Sequence, residues 1–285
     1  MFAVLGGLGA ALSWAAATVC SSRSTRMIGP SSVLAWVMLS GVVILALPAA
    51  VARPEDAVGE AAYAWLVASA ACYVLGLFLA YRALQVGRVA IVAPIVSTEG
   101  ALAAVISIAL GEAIGLGLAA VLGAIAAGVA MASVERGAGD QGRRDRRSAR
   151  LALPYALAAA AVFAVGLVAT ARAAADLPLA WVAIAPRFLG LIVIVAPLVL
   201  TGRLRLTRPA APLVLVAGIG EVAGILCFAA GAQVSIAVTA VLASQFAALS
   251  AAAGFVIFRE RLARVQVAGI AVVICGVTAL SVFRP

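Results

Sequence analysis

The chain has 285 residues, 66% of them apolar and only 11% charged, with a formal net charge of +9 and a mean hydropathy of +1.20. Soluble domains carry about half apolar residues, so a soluble domain is excluded; nucleic acid is excluded as a partner because the arginines sit in short stretches at the ends of apolar runs, nearest to lipid phosphates. With no histidine in the chain, imidazole bases, HExxH zinc sites and histidine proton relays are excluded as well.

Runs of about 20 apolar residues are long enough to cross a hydrocarbon layer roughly 30 Å thick as helices. Ten such segments follow one another: 2–21, 32–51, 62–84, 89–110, 115–134, 151–171, 179–201, 212–232, 236–257 and 265–283. They are continuous rather than alternating at period two, which fits helices and not barrel strands. The expected fold is an all-α integral membrane protein with ten transmembrane helices. The first segment lacks the positive flank and small-residue cleavage site of a secretory signal, and is expected to be retained.

Segment one carries Trp14, and segment three carries Tyr73 and Gly76. Segment four, VAIVAPIVSTEGALAAVISIAL (89–110), holds Ser97 and Glu99. Glu99 lies about 15 Å into its helix at 1.5 Å per residue, near mid-membrane. Pro94, five residues earlier, is placed to kink that helix and free a carbonyl beside the carboxylate. Between segments five and six, RGAGDQGRRDRRSAR (136–150) is expected to be a solvated loop joining two halves, 1–135 and 151–285. Segment seven carries Arg187, with snorkelling from the helix start as the alternative to a functional role. Segment eight carries Glu221 at a depth similar to Glu99, and segment nine carries Ser244 and Gln245. The four cysteines stand singly, with no CxxC pair. They are expected to be small core hydrophobes, and neither a metal site nor a cofactor is expected. All twenty basic residues are Arg, the mark of a GC-rich bacterial coding composition rather than of chemistry.

The two halves repeat. An offset of 148 brings Glu112 onto Glu260, Gly76 onto Gly224, Val86 onto Val234, Gly128 onto Gly276 and Ser133 onto Ser281. An offset of 149 brings Trp14 onto Phe163, Arg23 onto Arg172 and Pro48 onto Pro197. Five helices per half is an odd number, so the second copy enters the membrane from the opposite face. That gives an inverted repeat with a pseudo-twofold axis in the membrane plane, a device of secondary transporters.

YRALQVGRVAIVAPI (81–95), GE (111–112) and GLAAVLGAIAAGVAMAS (117–133) resemble the first domain of the EamA-type drug/metabolite transporters. GAQVSIAVTAVLASQ (231–245), RERL (259–262) and VAGIAVVICGVTALS (267–281) resemble the second, and Trp14 and PRFLG (186–190) are similar to further family positions. The first half departs from that pattern in having Met38 roughly where the second has Arg187. The resemblance implies ten helices, two EamA domains and export or uptake of small metabolites across the cytoplasmic membrane.

Orientation draws on two arguments that disagree. Sixteen arginines follow odd-numbered segments, while only Arg53, Arg172 and Arg284 follow even-numbered ones. Basic residues are retained in the cytoplasm, so both termini are expected outside, whereas the family is generally drawn with both inside.

A charge at the bilayer centre costs at least about 2.5–3.5 kcal/mol, so such residues face the bundle interior and are functional candidates by default. Three meet that description: Glu99, Glu221 and Arg187. At the 148 offset Glu221 falls on Tyr73, and Ser97 falls on Gln245. A chamber lined by Glu99, Ser97, Tyr73, Glu221 and Gln245 is expected, with Trp14 as lining or packing and Gly76, Gly220 and Gly224 permitting close helix approach. The bland alternatives are a hydrogen-bonded carboxyl at Glu99, and a structural Glu221–Arg187 pair. Glu112 and Glu260 are expected to be caps or loop ion pairs. The function expected is a secondary transporter of a small organic molecule, monomeric, exporting, with a proton carried by Glu99 or Glu221. The competing classes are a membrane enzyme, which would need a nucleophile–base pairing the chain lacks, and a permease subunit of a larger complex.

Overall fold

The computed structural model describes residues 1–54, 58–87, 89–112, 115–132 and 141–250, and five single positions between 265 and 275. All regular structure among the described residues is helical. Helices α1 (Phe2–Ile28), α2 (Pro30–Val51) and α3 (Glu60–Val86) are segments one to three. Gly29 turns the chain between α1 and α2 at φ 84°, where a side chain would clash. Pro30 then opens α2 where a missing N–H costs nothing.

Segment four is not one rod. It divides into α4 (Val89–Val96) and α5 (Thr98–Ala109). The backbone is helical through Pro94, so the expected kink there is corrected: the break falls at Ser97, where Gly100 N reaches back only three residues, to Ser97 O at 3.3 Å. Segment five is α6 (Leu116–Ala132) and segment six is α7 (Gln141–Asp176). The expected loop over 136–150 is therefore corrected too, since the backbone is already helical at Gln141. Segment seven is α8 (Leu179–Gly190), a π-helical turn (Leu191–Val195) and α9 (Ala196–Leu200). Segment eight is α10 (Ala211–Ala232), and segment nine starts with α11 (Ile236–Ala243) and resumes over 246–250 after a break at Ser244–Gln245. Segment ten and Glu260 lie outside the described residues, apart from the five single positions.

Six helices are long and apolar enough to cross a membrane, and their outward faces are bare hydrocarbon. Val43 is 81% exposed, Ile192 71% and Leu200 86%. Water would penalise that surface by about 25 cal/mol per Å², whereas lipid does not, so the protein is an integral membrane protein.

Cross-links between helix ends define two faces. On one, Arg26 Nη2 donates to Gly87 O (2.9 Å), Trp36 Nε1 to Arg205 O (3.0 Å) and Arg205 N to Ser32 Oγ (3.2 Å). On the other, Trp181 Nε1 donates to Ala49 O (3.0 Å) and Gln233 Nε2 to Ala174 O (2.7 Å). There too Glu112 caps α11, accepting from Ser235 Oγ (2.7 Å) and Ala237 N (3.2 Å), as expected of it. Successive segments among the described residues thus cross in alternating directions.

The principal pairings are α1 with α10 and α3 with α7. Around them α2 packs on α8, α5 on α11, α1 on α11 and α5 on α7, while α2 touches α10 and α3 touches α8. Small residues bring the backbones together: a Cβ on Gly6 would lie 2.6 Å from Cys227 O, and one on Gly220 would lie 2.7 Å from Ser13 O. In lipid, where apolar burial gives no net drive, such close packing is what holds helices to one another.

Candidate functional site

At the centre of α1, α3, α4, α5, α7 and α10 is a cavity of about 70 Å³. Each helix contributes a stripe at helical spacing. From α3 come Tyr73, Leu77, Tyr81 and Leu84; from α7, Phe163, Leu167 and Thr170; from α10, Glu221, Ile225 and Phe228. Trp14 and Thr18 enter from α1, Val92 and Val96 from α4, Glu99 from α5, and Phe246 from the helix after α11.

Four expected site residues meet here: Trp14, Tyr73, Glu99 and Glu221. Both carboxylates are buried, at 5% and 6% exposure. Tyr73 Oη donates to Glu221 Oε2 and accepts from Arg187 Nη2 at 3.3 Å. The guanidinium also lies over the Tyr73 ring, 4.8 Å from its centroid. A chain Arg187–Tyr73–Glu221 therefore spans α8, α3 and α10, with the phenol between base and acid. The direct Glu221–Arg187 pair is corrected to a pair bridged by Tyr73. Snorkelling is corrected as well, because Arg187 is completely buried. Arg187 stands behind the cavity wall rather than in it.

Two other expected residues stand off the cavity. Gln245 is buried in the break after α11, its Nε2 donating to Val241 O (3.1 Å) and its Oε1 unpartnered. Ser97 is buried at the break between α4 and α5. Neither lines the cavity, but both mark interruptions in helices that touch it.

The glycines have a different use from the one expected. The space at Gly224 is filled by the Trp14 indole, and that at Gly76 by the Phe163 ring, whose Cε1 would lie 2.5 Å from an added Cβ. Likewise Gly41 makes room for Arg187 and Gly190 for Met38. Gly220 and Gly166 do serve helix approach near the cavity, against Ala17 and Cys72, as does Gly100 against Ala240. Trp14 continues to Phe228 with ring centroids 6.0 Å apart, and Tyr73 to Phe163 at 6.4 Å, edge to face. Those geometries suit aromatic quadrupoles.

Tyr81, Thr18, Phe228 and Phe246 were not among the residues expected. Tyr81 is legible in retrospect: it lies eight residues after Tyr73, hence on the same helix face. The same reasoning carries Phe228 from Glu221, seven residues on. Three polar atoms of the lining residues are left unpartnered in the buried interior: Glu99 Oε2, Trp14 Nε1 and Tyr81 Oη. Burying a polar group without a partner is costly. The cavity wall therefore carries an acid with an unpartnered oxygen within a shell of rings and hydrocarbon. Among the described residues there is no cluster of metal-ligating side chains.

No curated protein matches the chain. One solved crystal structure is similar over 98% of this chain and 96% of its own, with a TM-score of 0.73 at 20% identity, which shows a shared fold. Residues 1–134 match the model of the EamA-like transporter family; the first half of this membrane protein is similar to that family.

Proposed function

We propose that the protein is a secondary transporter that moves a small organic molecule through the central cavity by alternating access, built as ten helices in two inverted five-helix repeats. One observation carries this reading: the contacts around the cavity exchange partners under the offset that relates the two halves of the sequence. Trp14 on Gly224 becomes Phe163 on Gly76; Met38 at Gly190 becomes Arg187 at Gly41; Ala17 at Gly220 becomes Gly166 at Cys72. Each pair is related by 148 or 149 residues. Tyr73 and Glu221 are themselves 148 apart and hydrogen-bonded to each other, as residues astride a twofold axis must be. The helix pairings follow the same rule: α1 with α10 answers α3 with α7, and α1 with α11 answers α4 with α7. The breaks at Ser97 and Gln245 also correspond. Interrupted helices and a site at the repeat interface are the features that let one packing exchange with its mirror.

In this reading Glu99 or Glu221 carries the coupling proton, transport is outward, and a monomer suffices because both repeats are in one chain. The membrane is the bacterial cytoplasmic membrane. The arginine-rich face, with Arg26 and Arg205, is cytoplasmic, against the family's usual drawing.

The test uses a cysteine-free background with Leu84→Cys or Ala232→Cys, two buried cavity-flanking positions related by 148 residues. An impermeant thiol reagent should label the first only from the cytoplasmic side and the second only from the outside. Ligand should shift the two rates in opposite directions. Labelling confined to one position under all conditions would remove alternating access and leave a one-sided binding pocket.

A further inference from the structure

We propose that the cavity takes a hydrophobic organic monocation, an apolar skeleton with one protonated amine, and that the ammonium sits at Glu99; this rests on the transporter reading of the same cavity. The wall excludes the other classes one by one. Among the described residues, Glu99 and Glu221 are the only charged side chains lining it. The nearest cation, Arg187, is fully buried behind Tyr73 and turned to its hydroxyl, so a carboxylate or phosphate would meet two acids and no base. A sugar would need a hydrogen-bonding partner for each hydroxyl, yet most of the wall is Leu, Val, Ile and aromatic rings.

The two acids are not equivalent. Glu221 Oε2 already accepts from Tyr73, which accepts in turn from Arg187, so one negative charge is matched to one positive through a shared hydroxyl. Glu99 Oε2 has no partner. One acceptor is thus uncompensated, which fits a single positive charge and leaves a dication without its second anion. The rings of Trp14, Tyr73, Tyr81, Phe163, Phe228 and Phe246 surround the same space. Their faces attract a desolvated ammonium, and Arg187 over Tyr73 already makes such a contact inside this protein.

The experiment uses three probes with one aromatic skeleton: phenethylamine, phenethyl alcohol and phenylpropionate. Binding to the full-length purified chain is followed by tryptophan fluorescence and by thermal stabilisation, since a ligand of the folded state raises its melting point. The amine should bind at least about tenfold more tightly than the alcohol or the acid, the value of one charge-assisted hydrogen bond. Glu99→Gln should reduce the amine to the level of the alcohol, whose retained binding reports an intact cavity. Glu99→Asp should fall between, and Glu112→Gln, away from the cavity, should leave amine binding unchanged. Acid binding as tight as amine binding, amine binding indifferent to Glu99→Gln, or no binding by any probe would overturn the assignment. Flux into proteoliposomes separates the two layers. An amine bound through Glu99 but never moved would sink the transporter reading and keep the cation site; movement of the acid or the alcohol without the amine would do the reverse.

Discussion

Tyr73→Phe tests the central chain of contacts most directly, because it removes one oxygen and leaves the ring in place. The hydroxyl serves two charged neighbours, donating to Glu221 Oε2 and accepting from Arg187 Nη2. Arg187 is fully buried and its Nε and Nη1 already lack partners, so the substitution takes away its hydrogen bond to the phenol. Two hydrogen bonds lost in a membrane interior set a floor of about 1.2 kcal/mol, at roughly 0.6 each. Stranding one member of a buried charged pair sets a ceiling of about 3–5 kcal/mol. We expect a loss of about 2–4 kcal/mol, read from denaturant or thermal unfolding of the detergent-purified protein. The loss should shrink by at least about 1 kcal/mol in a Glu221→Gln background, because interacting residues are non-additive by that order. It should shrink again in an Arg187→Met background, where the stranded cation is gone. A cost of Tyr73→Phe below about 0.5 kcal/mol, or equal costs in all three backgrounds, would mean that the phenol bridges nothing and that the cavity is organised by packing alone.

Three further outcomes follow from particular contacts. Gly76→Ala and Gly224→Ala each gain about 1 kcal/mol of helix propensity and each drive a methyl into an aromatic ring, which costs about 1–3 kcal/mol; their net losses should agree within about 0.5 kcal/mol, and a large difference in unfolding midpoint would contradict equivalent seats. Glu112→Ala removes the carboxylate that caps α11 and should cost about 1–2 kcal/mol, typical of a lost cap, with ligand binding at the cavity unchanged. Glu99→Gln should abolish amine accumulation driven by an imposed proton gradient in proteoliposomes, with amine counterflow falling in step with its binding; gradient-driven accumulation that survives would move the coupling to Glu221.

What could be read before the structure was set by the bilayer. A membrane helix must be apolar along its whole length and satisfy its backbone internally, so segment number and the cost of Glu99, Glu221 and Arg187 were visible in the residues themselves. Matched positions recur in order along the sequence, and among them Trp14 touches Gly224 and Phe163 touches Gly76 as crossed pairs. Depth alone could not say which polar groups share a cavity. Ser97 and Gln245 have the right depth, but they stand in helix breaks and do not line it. Nor could hydropathy place Tyr81, Phe228 or Phe246, because an aromatic ring in an apolar segment carries no contrast. The helical start at Gln141 was hidden for the opposite reason: arginine-rich sequence resembles loop, although Arg is a good helix former.

The position where the repeat breaks its own symmetry carries the charge of the site. Gly41 and Gly190 open equivalent spaces, and into one goes Arg187 while the other receives Met38. With Met in both, Tyr73 would hold Glu221 alone and the cavity would hold two uncompensated acids. With Arg in both, two guanidiniums would match two carboxylates and no acceptor would remain. A single Arg leaves an odd charge, and the free carboxyl oxygen belongs to Glu99. On the proposed twofold, the two packings that exchange during transport are then related in shape but unequal in energy, because Arg187 reaches Tyr73 from one side only. Shape symmetry would supply the two states, and one unpaired charge would give the cavity something to carry.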